Sequence, residues 1–172
     1  MADRISSRDH RSGFLMPEKC PDCGALVGGR EECQKLFDEV IAREFSNPTY
    51  FGVHRTTVDC YALQHPERYC ASFKSFAAHL TGLCCAMEYG KDPAMMRAIH
   101  IGLDGPRARQ RPAFIRDRGQ TTIESVYQAA DAAAHRVAVQ AWAASTWKAW
   151  SQYHQLARTL LIEMVGSARK RV

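Results

Sequence analysis

Apolar residues recur at intervals of three and four positions along most of this chain, the spacing that gives an α-helix one apolar face. Between residues 31 and 45 this stripe consists of Cys33, Leu36, Phe37, Val40, Ile41 and Phe45. The alternation of apolar and polar residues that is typical of β-strands is scarce. The sequence therefore predicts an all-α fold, a bundle of five or six helices with an N-terminal Cys-rich turn segment.

Prolines, glycines and capping residues divide the helical pattern into segments. The alanine-rich run after residue 122 exceeds forty residues, which is long for one globular helix, so we place a break at Ser145, a residue type that caps helix N-termini. The predicted helices are Glu31–Phe45, Val53–Leu63, Glu67–Tyr89, Pro93–Ile99, Ile123–Trp142 and Thr146–Val165.

Length and composition are those of one globular domain. The chain has 172 residues, of which 46% are hydrophobic and 24% are charged. We predict a flexible arm over residues 1–19, a single helical domain over 20–166 and a basic tail over 167–172. No window of eighteen apolar residues is present, so we expect no membrane span.

Three cysteines near the start of the chain have the spacing of a metal site. Cys20 and Cys23 are separated by two residues within a turn, which brings two sulfurs to one point, and Cys33 follows in the first turn of the next predicted helix. Three thiolates need one more ligand to complete a tetrahedral zinc site. His54 is our first choice for the fourth ligand, and Cys60 and His65 are alternatives.

A redox role is the competing interpretation of Cys20 and Cys23. A disulfide-exchange motif requires a strand before it and a helix directly after it. Here a polar arm precedes the pair and a glycine-rich stretch follows it. We therefore favour zinc, and we interpret the other four cysteines as small buried hydrophobic residues, namely Cys60, Cys70, Cys84 and Cys85.

Histidines and acids on several predicted helices define a second candidate site. Asp131 and His135 lie four positions apart and so share one helix face. Together with His65 and His79 they could form a catalytic pocket, with Asp59 nearby, in which a metal activates water for a hydrolase or lyase. The alternative is that these residues are hydrogen-bonded parts of the core.

The chain is mildly basic, with a net charge of +5 and a pI near 8.9. An arginine-rich loop between Gly102 and Gly119 is a candidate for weak contact with nucleic acid, whose signature would be affinity that falls steeply with salt. A solvated surface is the alternative interpretation. The arginines of this loop are Arg107, Arg109, Arg111, Arg116 and Arg118.

Several segments together resemble an uncharacterised bacterial family, the domain-of-unknown-function family 5946. The resemblance lies in the stretches CPDCGA from Cys20, VDCYALQHP from Val58 and HLTGLC from His79, and in the spacing of Asp131, His135, Trp142, Trp147 and Trp150. It implies a small soluble bacterial protein and makes the group of Cys20, Cys23, Cys33 and His54 a unit.

The sequence suggests three possible functions, which we rank. The first is a helical zinc-binding protein with a structural Cys3His site and a binding or regulatory role. The second is a metal-dependent enzyme that uses the histidine and aspartate pocket, and the third is a nucleic-acid-binding protein. Because the cysteine count is odd and no export signal is visible, we expect a cytoplasmic location.

Overall fold

The computed structural model describes residues 17–102 and 109–169 of the chain. This part contains nine α-helices, a 3₁₀ turn at Ser151–Tyr153 and no strand beyond an isolated bridge between Lys19 and Leu26. The helices are α1 (Arg30–Ser46), α2 (Pro48–Phe51), α3 (His54–Gln64), α4 (Pro66–Tyr69), α5 (Phe73–Glu88), α6 (Pro93–Gly102), α7 (Ile123–Tyr127), α8 (Ala132–Ala149) and α9 (His154–Arg169).

The prediction of an all-α fold is confirmed. The helices that contain ten or more residues are α1, α3, α5, α6, α8 and α9. The other three have four or five residues, which is too short for apolar periodicity to reveal. No described helix is both long and apolar enough to cross a bilayer.

Two predicted helices are divided differently in the structure. The segment predicted as one helix from Glu67 to Tyr89 breaks after Tyr69, because Ser72 starts α5 with a reciprocal capping box to Ser75. The break predicted at Ser145 is wrong. Ser145 lies inside α8, where its hydroxyl accepts the backbone N–H groups of Gln120 and Thr121 at 2.8 and 3.1 Å.

The predicted N-terminal arm and the predicted C-terminal tail lie largely outside the described residues. Only residues 17–19 of the predicted arm are described, and residues 167–169 of the predicted tail continue α9. Residues 170–172 and Arg107 lie outside the described part.

Helix α3 occupies the middle of the bundle and packs against α5 and α8. Its contact with α5 is close at Gly82, where an added Cβ would lie 2.1 Å from the Asp59 carboxylate. The last residue of α3, the buried Gln64, accepts a hydrogen bond from Trp142 Nε1 at 2.9 Å and donates to the carbonyls of Arg118 and Thr121. The C-terminal end of α3 is therefore fixed against α8 and the segment 109–122.

Candidate metal centre

The first two cysteines lie in a tight turn before α1. The backbone N–H of Cys20 donates to the carbonyl of Ala25 at 2.8 Å, and the N–H of Gly24 donates to the carbonyl of Cys20 at 2.9 Å. Gly24 has a φ of +82°, a conformation that side-chain-bearing residues rarely adopt. This closed turn brings Cys20 and Cys23 to the same side of the segment.

The third cysteine is delivered by the start of α1. Gly28 and Gly29, with φ of +94° and +96°, turn the chain, and both donate their N–H groups to the Glu18 carbonyl. Helix α1 begins directly afterwards, so Cys33 lies in its first turn and faces back toward the cysteine turn.

A histidine at the C-terminal end of α3 completes the group. His65 is the residue between α3 and α4, and Pro66 starts α4. Its Nε2 lies 3.6 Å from Cys20 Sγ and 3.5 Å from Cys33 Sγ, and Cys23 Sγ lies 3.7 Å from Cys33 Sγ. All four candidate ligand atoms lie within 4.8 Å of one another, and all four residues are buried.

The orientation of His65 suits metal ligation. Its Nδ1–H donates to the backbone carbonyl of Tyr61 at 2.8 Å, which leaves the Nε2 lone pair directed at the sulfurs. The Tyr61 ring stacks on the imidazole with centroids 3.9 Å apart, and its hydroxyl donates to Cys33 Sγ at 3.8 Å. Such outer partners fix the tautomer and orientation of metal-binding residues.

The three thiols compete for one negative charge. Hydrogen bonds from Cys23 and Cys33 hold the pKa of Cys20 far below its usual range. Hydrogen bonding to Cys20 in turn raises the pKa of Cys23 strongly and that of Cys33 to about 12. A divalent cation removes this competition, because it stabilises all three residues as thiolates.

Arg118 attaches the cysteine turn to the rest of the bundle. Its guanidinium donates to the carbonyls of Asp22 and Gln64 at 3.3 and 3.1 Å and forms an ion pair with Glu67. Arg30 holds the same turn through two hydrogen bonds to the Asp22 carboxylate, at 2.7 and 2.9 Å. The predicted surface loop does not account for this role of Arg118.

The choice of His54 as the fourth member of the cysteine group is corrected. His54 starts α3, and its Nδ1 lies 2.9 Å from Glu44 Oε2. The alternative residue His65 lies with the cysteines instead. Cys60, the other alternative, is fully buried outside the group, and burial raises its pKa well above the usual value.

Glu44 is the centre of a buried polar network that is absent from the sequence-based predictions. Its carboxylate, which is fully buried, accepts hydrogen bonds from Thr57 Oγ1 at 2.6 Å, His135 Nε2 at 2.8 Å and His54 Nδ1 at 2.9 Å. One signal was available: Glu44 follows the buried Val40 by four positions and so continues the apolar stripe of α1.

The predicted catalytic residues do not converge. His65 belongs to the cysteine group, His135 bonds Glu44, and Asp131 caps α8 through a hydrogen bond to the Ala134 N–H. His79 donates to the buried Asp59, which also binds Arg55. Within residues 17–102 and 109–169, the cysteine group is the one cluster in which three or more potential ligand atoms all lie within 4.8 Å of one another.

The remaining cysteines are buried and free, as expected for small core residues. Burial raises the pKa of Cys70 and Cys84 to about 12 and raises that of Cys85. These thiols therefore stay protonated near neutral pH and make poor nucleophiles.

Most described arginines of the proposed nucleic-acid surface contact the protein itself. Arg109 pairs with Glu163, Arg111 lies 3.8 Å above the Phe114 ring, and Arg118 is largely buried. Arg116 is exposed. Contact with nucleic acid stays a prediction, to be tested by whether affinity falls steeply with salt.

The fold and this cluster define a helical protein with a buried Cys3His group that could hold a metal ion. A family of unknown function (DUF5946) matches residues 18–151, which is most of the chain, and the protein belongs to that family. No curated protein and no solved structure matches the chain.

Replacing Tyr61 by phenylalanine is expected to weaken metal binding by about tenfold or more, because it removes the hydroxyl that bonds Cys33. Competition with a chromophoric chelator measures the change. Tyr69→Phe is the matched control, since the Tyr69 hydroxyl bonds Gln34 rather than a sulfur. Equal affinities for all three proteins would contradict a role for Tyr61 at the centre.

Proposed function

We propose that this protein binds one structural zinc ion through Cys20, Cys23, Cys33 and His65, and that its role is binding or regulation. One observation carries the proposal. Three sulfurs and one imidazole nitrogen, all buried, converge within 4.8 Å, and the far nitrogen of the imidazole is already engaged by a carbonyl. These are the donor types and the number that a closed zinc site uses.

The donor set favours zinc over other common ions. Thiolate and imidazole ligands suit zinc, whereas calcium and magnesium require oxygen ligands. Three thiolates around Zn²⁺ leave a net charge of −1 on the centre. Arg30 and Arg118 hold the cysteine turn, and each is itself paired with a carboxylate, Asp22 and Glu67 respectively.

A structural role follows from the number of ligands. Four protein ligands fill a tetrahedral site, whereas catalytic zinc keeps one position open for water or substrate. The four residues come from the cysteine turn, from α1 and from the end of α3. An ion bound by them would tie the first segment of the chain to the middle of the bundle.

We also propose a cellular location for the protein, the cytoplasm. All seven cysteines are free, and the described ones outside the group are buried thiols. Free thiols are typical of a reducing compartment, which supports a bacterial cytoplasm. A function as a metal-dependent enzyme stays a prediction, and the histidine and aspartate residues predicted for its pocket do not converge in the described part of the chain.

Elemental analysis of His65→Ala and His54→Ala variants tests the proposal. We expect about one zinc per chain in the unmodified protein and in His54→Ala, and a loss of most of it in His65→Ala. The pair is matched because the two histidines lie at opposite ends of α3. Zinc-free unmodified protein, or zinc retained in His65→Ala and lost in His54→Ala, would overturn it.

A further inference from the structure

A half-open cavity of about 310 Å³ lies next to the cysteine group. Its lining includes Tyr61 and His65, together with Gln34, Arg68 and Tyr69 from α1 and α4. The volume is at the lower end of the range for small-molecule sites. Nothing in the proposed zinc site requires this cavity.

Two hydrogen-bond donors converge in the cavity on a single neutral oxygen, and a third hydroxyl lies beside it. Gln34 Oε1 accepts from Tyr69 Oη at 2.6 Å and from Arg68 Nη1 at 2.9 Å, which uses both lone pairs of the carbonyl oxygen. Tyr61 Oη lies 3.4 Å from the same oxygen, but its single proton is donated to Cys33 Sγ. Since a guanidinium has five N–H groups, the cavity offers more donors than Gln34 can accept.

The donors differ in how firmly they are held. Tyr61 is 1% exposed, and its ring is held by stacking between Phe37 and His65. Burial raises the pKa of Tyr69, which keeps its hydroxyl protonated as a donor. Gln34 is only partly buried, and its amide N–H donates to Asp38 on the same helix.

Arg68 carries a positive charge and forms no ion pair with a carboxylate among the described residues. Its guanidinium bonds Gln34 and lies 5.4 Å from the Tyr69 ring centroid. The two carboxylates that line the cavity each pair with another arginine, Asp22 with Arg30 and Glu67 with Arg118. A guanidinium beside a phenol hydroxyl that donates matches the paired oxygens of a carboxylate or phosphate.

We propose that this cavity binds the carboxylate or phosphate group of a small molecule, which takes the place of the Gln34 side-chain oxygen between Arg68 and Tyr69. The inference goes beyond the proposed zinc site and does not depend on which metal that site holds. It assigns to the protein a ligand-binding function.

Isothermal titration of the full chain, as purified, with succinate and with inorganic phosphate tests this proposal at constant ionic strength. We expect saturable binding of at least one anion, weakened about tenfold by Arg68→Gln and by Tyr69→Phe, since each removes a hydrogen bond to a charged group. The anion that binds more tightly identifies the source of the oxyanion, a carboxylate or a phosphate.

Arg97→Gln is the matched control, because it removes one positive charge from an exposed position on α6 outside the cavity lining. Thermal melts and metal content establish that each variant is folded and loaded. Absence of saturable binding for both anions would overturn the proposal. Equal weakening by Arg97→Gln, or none by Arg68→Gln and Tyr69→Phe, would overturn it too.

Discussion

Replacing Cys20 by serine is expected to abolish stable metal binding and to lower the free energy of unfolding by about 3 kcal/mol or more. For a chain of this size each kcal/mol shifts the melting temperature by about 2–4 °C, so the expected fall is roughly 10 °C. The physical reason is that the proposed ion would join the cysteine turn to α1 and to the end of α3, in addition to the hydrogen bonds of Arg30 and Arg118 to that turn. Thermal denaturation with parallel zinc analysis measures both effects.

Cys70→Ser is the matched control for that variant. Cys70 is as buried as Cys20 but lies outside the metal group, and its thiol donates to the Ala62 carbonyl, a hydrogen bond that serine can replace. We expect it to keep its zinc and most of its stability. Equal effects of the two substitutions would show that Cys20 acts only as a core residue.

Amide hydrogen exchange adds the location of the effect. In Cys20→Ser, or after a strong chelator removes the metal, exchange is expected to rise first at Cys20, Gly24 and Gly28. The N–H groups of these residues are bonded only within the turn segment. Uniform loss of protection over α5 and α9 would instead indicate global unfolding.

Glu44→Gln is expected to destabilise the protein by about 3–5 kcal/mol while leaving metal content unchanged. The buried carboxylate accepts three hydrogen bonds, from Thr57, His54 and His135. A glutamine amide presents N–H groups to at least one of these donors and leaves it unpaired. Urea denaturation followed by circular dichroism measures the loss.

Glu31→Gln provides the comparison for Glu44, since it removes an exposed carboxylate from the same helix. Its expected cost is below about 1 kcal/mol, the usual strength of a charge at a helix N-terminus. If Glu44→Gln cost no more than this control, the buried network would not contribute to stability. Loss of zinc in Glu44→Gln would show that the network and the metal centre are coupled.

The helical class and the cysteine trio were predictable because both depend on spacing along the chain. Turn residues around Cys20 and Cys23 fix local geometry, and periodicity fixes which helix carries Cys33. The choice between His54 and His65 was not predictable in this way. These residues lie at opposite ends of α3, roughly 16 Å apart at 1.5 Å per residue, and only tertiary packing decides which end meets the cysteines.

The missed helix breaks have a related cause. Within the alanine-rich run, Asp131 fits both a helix cap and a metal ligand, and local sequence does not distinguish them. Its capping bond to Ala134 and the engagement of Ser145 with the chain before α7 are both visible only in three dimensions. Glu44 is a case where the sequence does carry a signal. A charged residue on the buried stripe of a helix indicates that its side chain must be paired with polar partners in the core.

The central claim is that three sulfurs and one histidine nitrogen hold a single ion. Zinc K-edge X-ray absorption of the protein as purified measures that coordination directly. We predict three sulfur ligands at about 2.3 Å and one nitrogen at about 2.0 Å, with one sulfur lost or the metal absent in Cys20→Ser. A ligand shell of only nitrogen and oxygen, or a spectrum unchanged by Cys20→Ser, would contradict the claim.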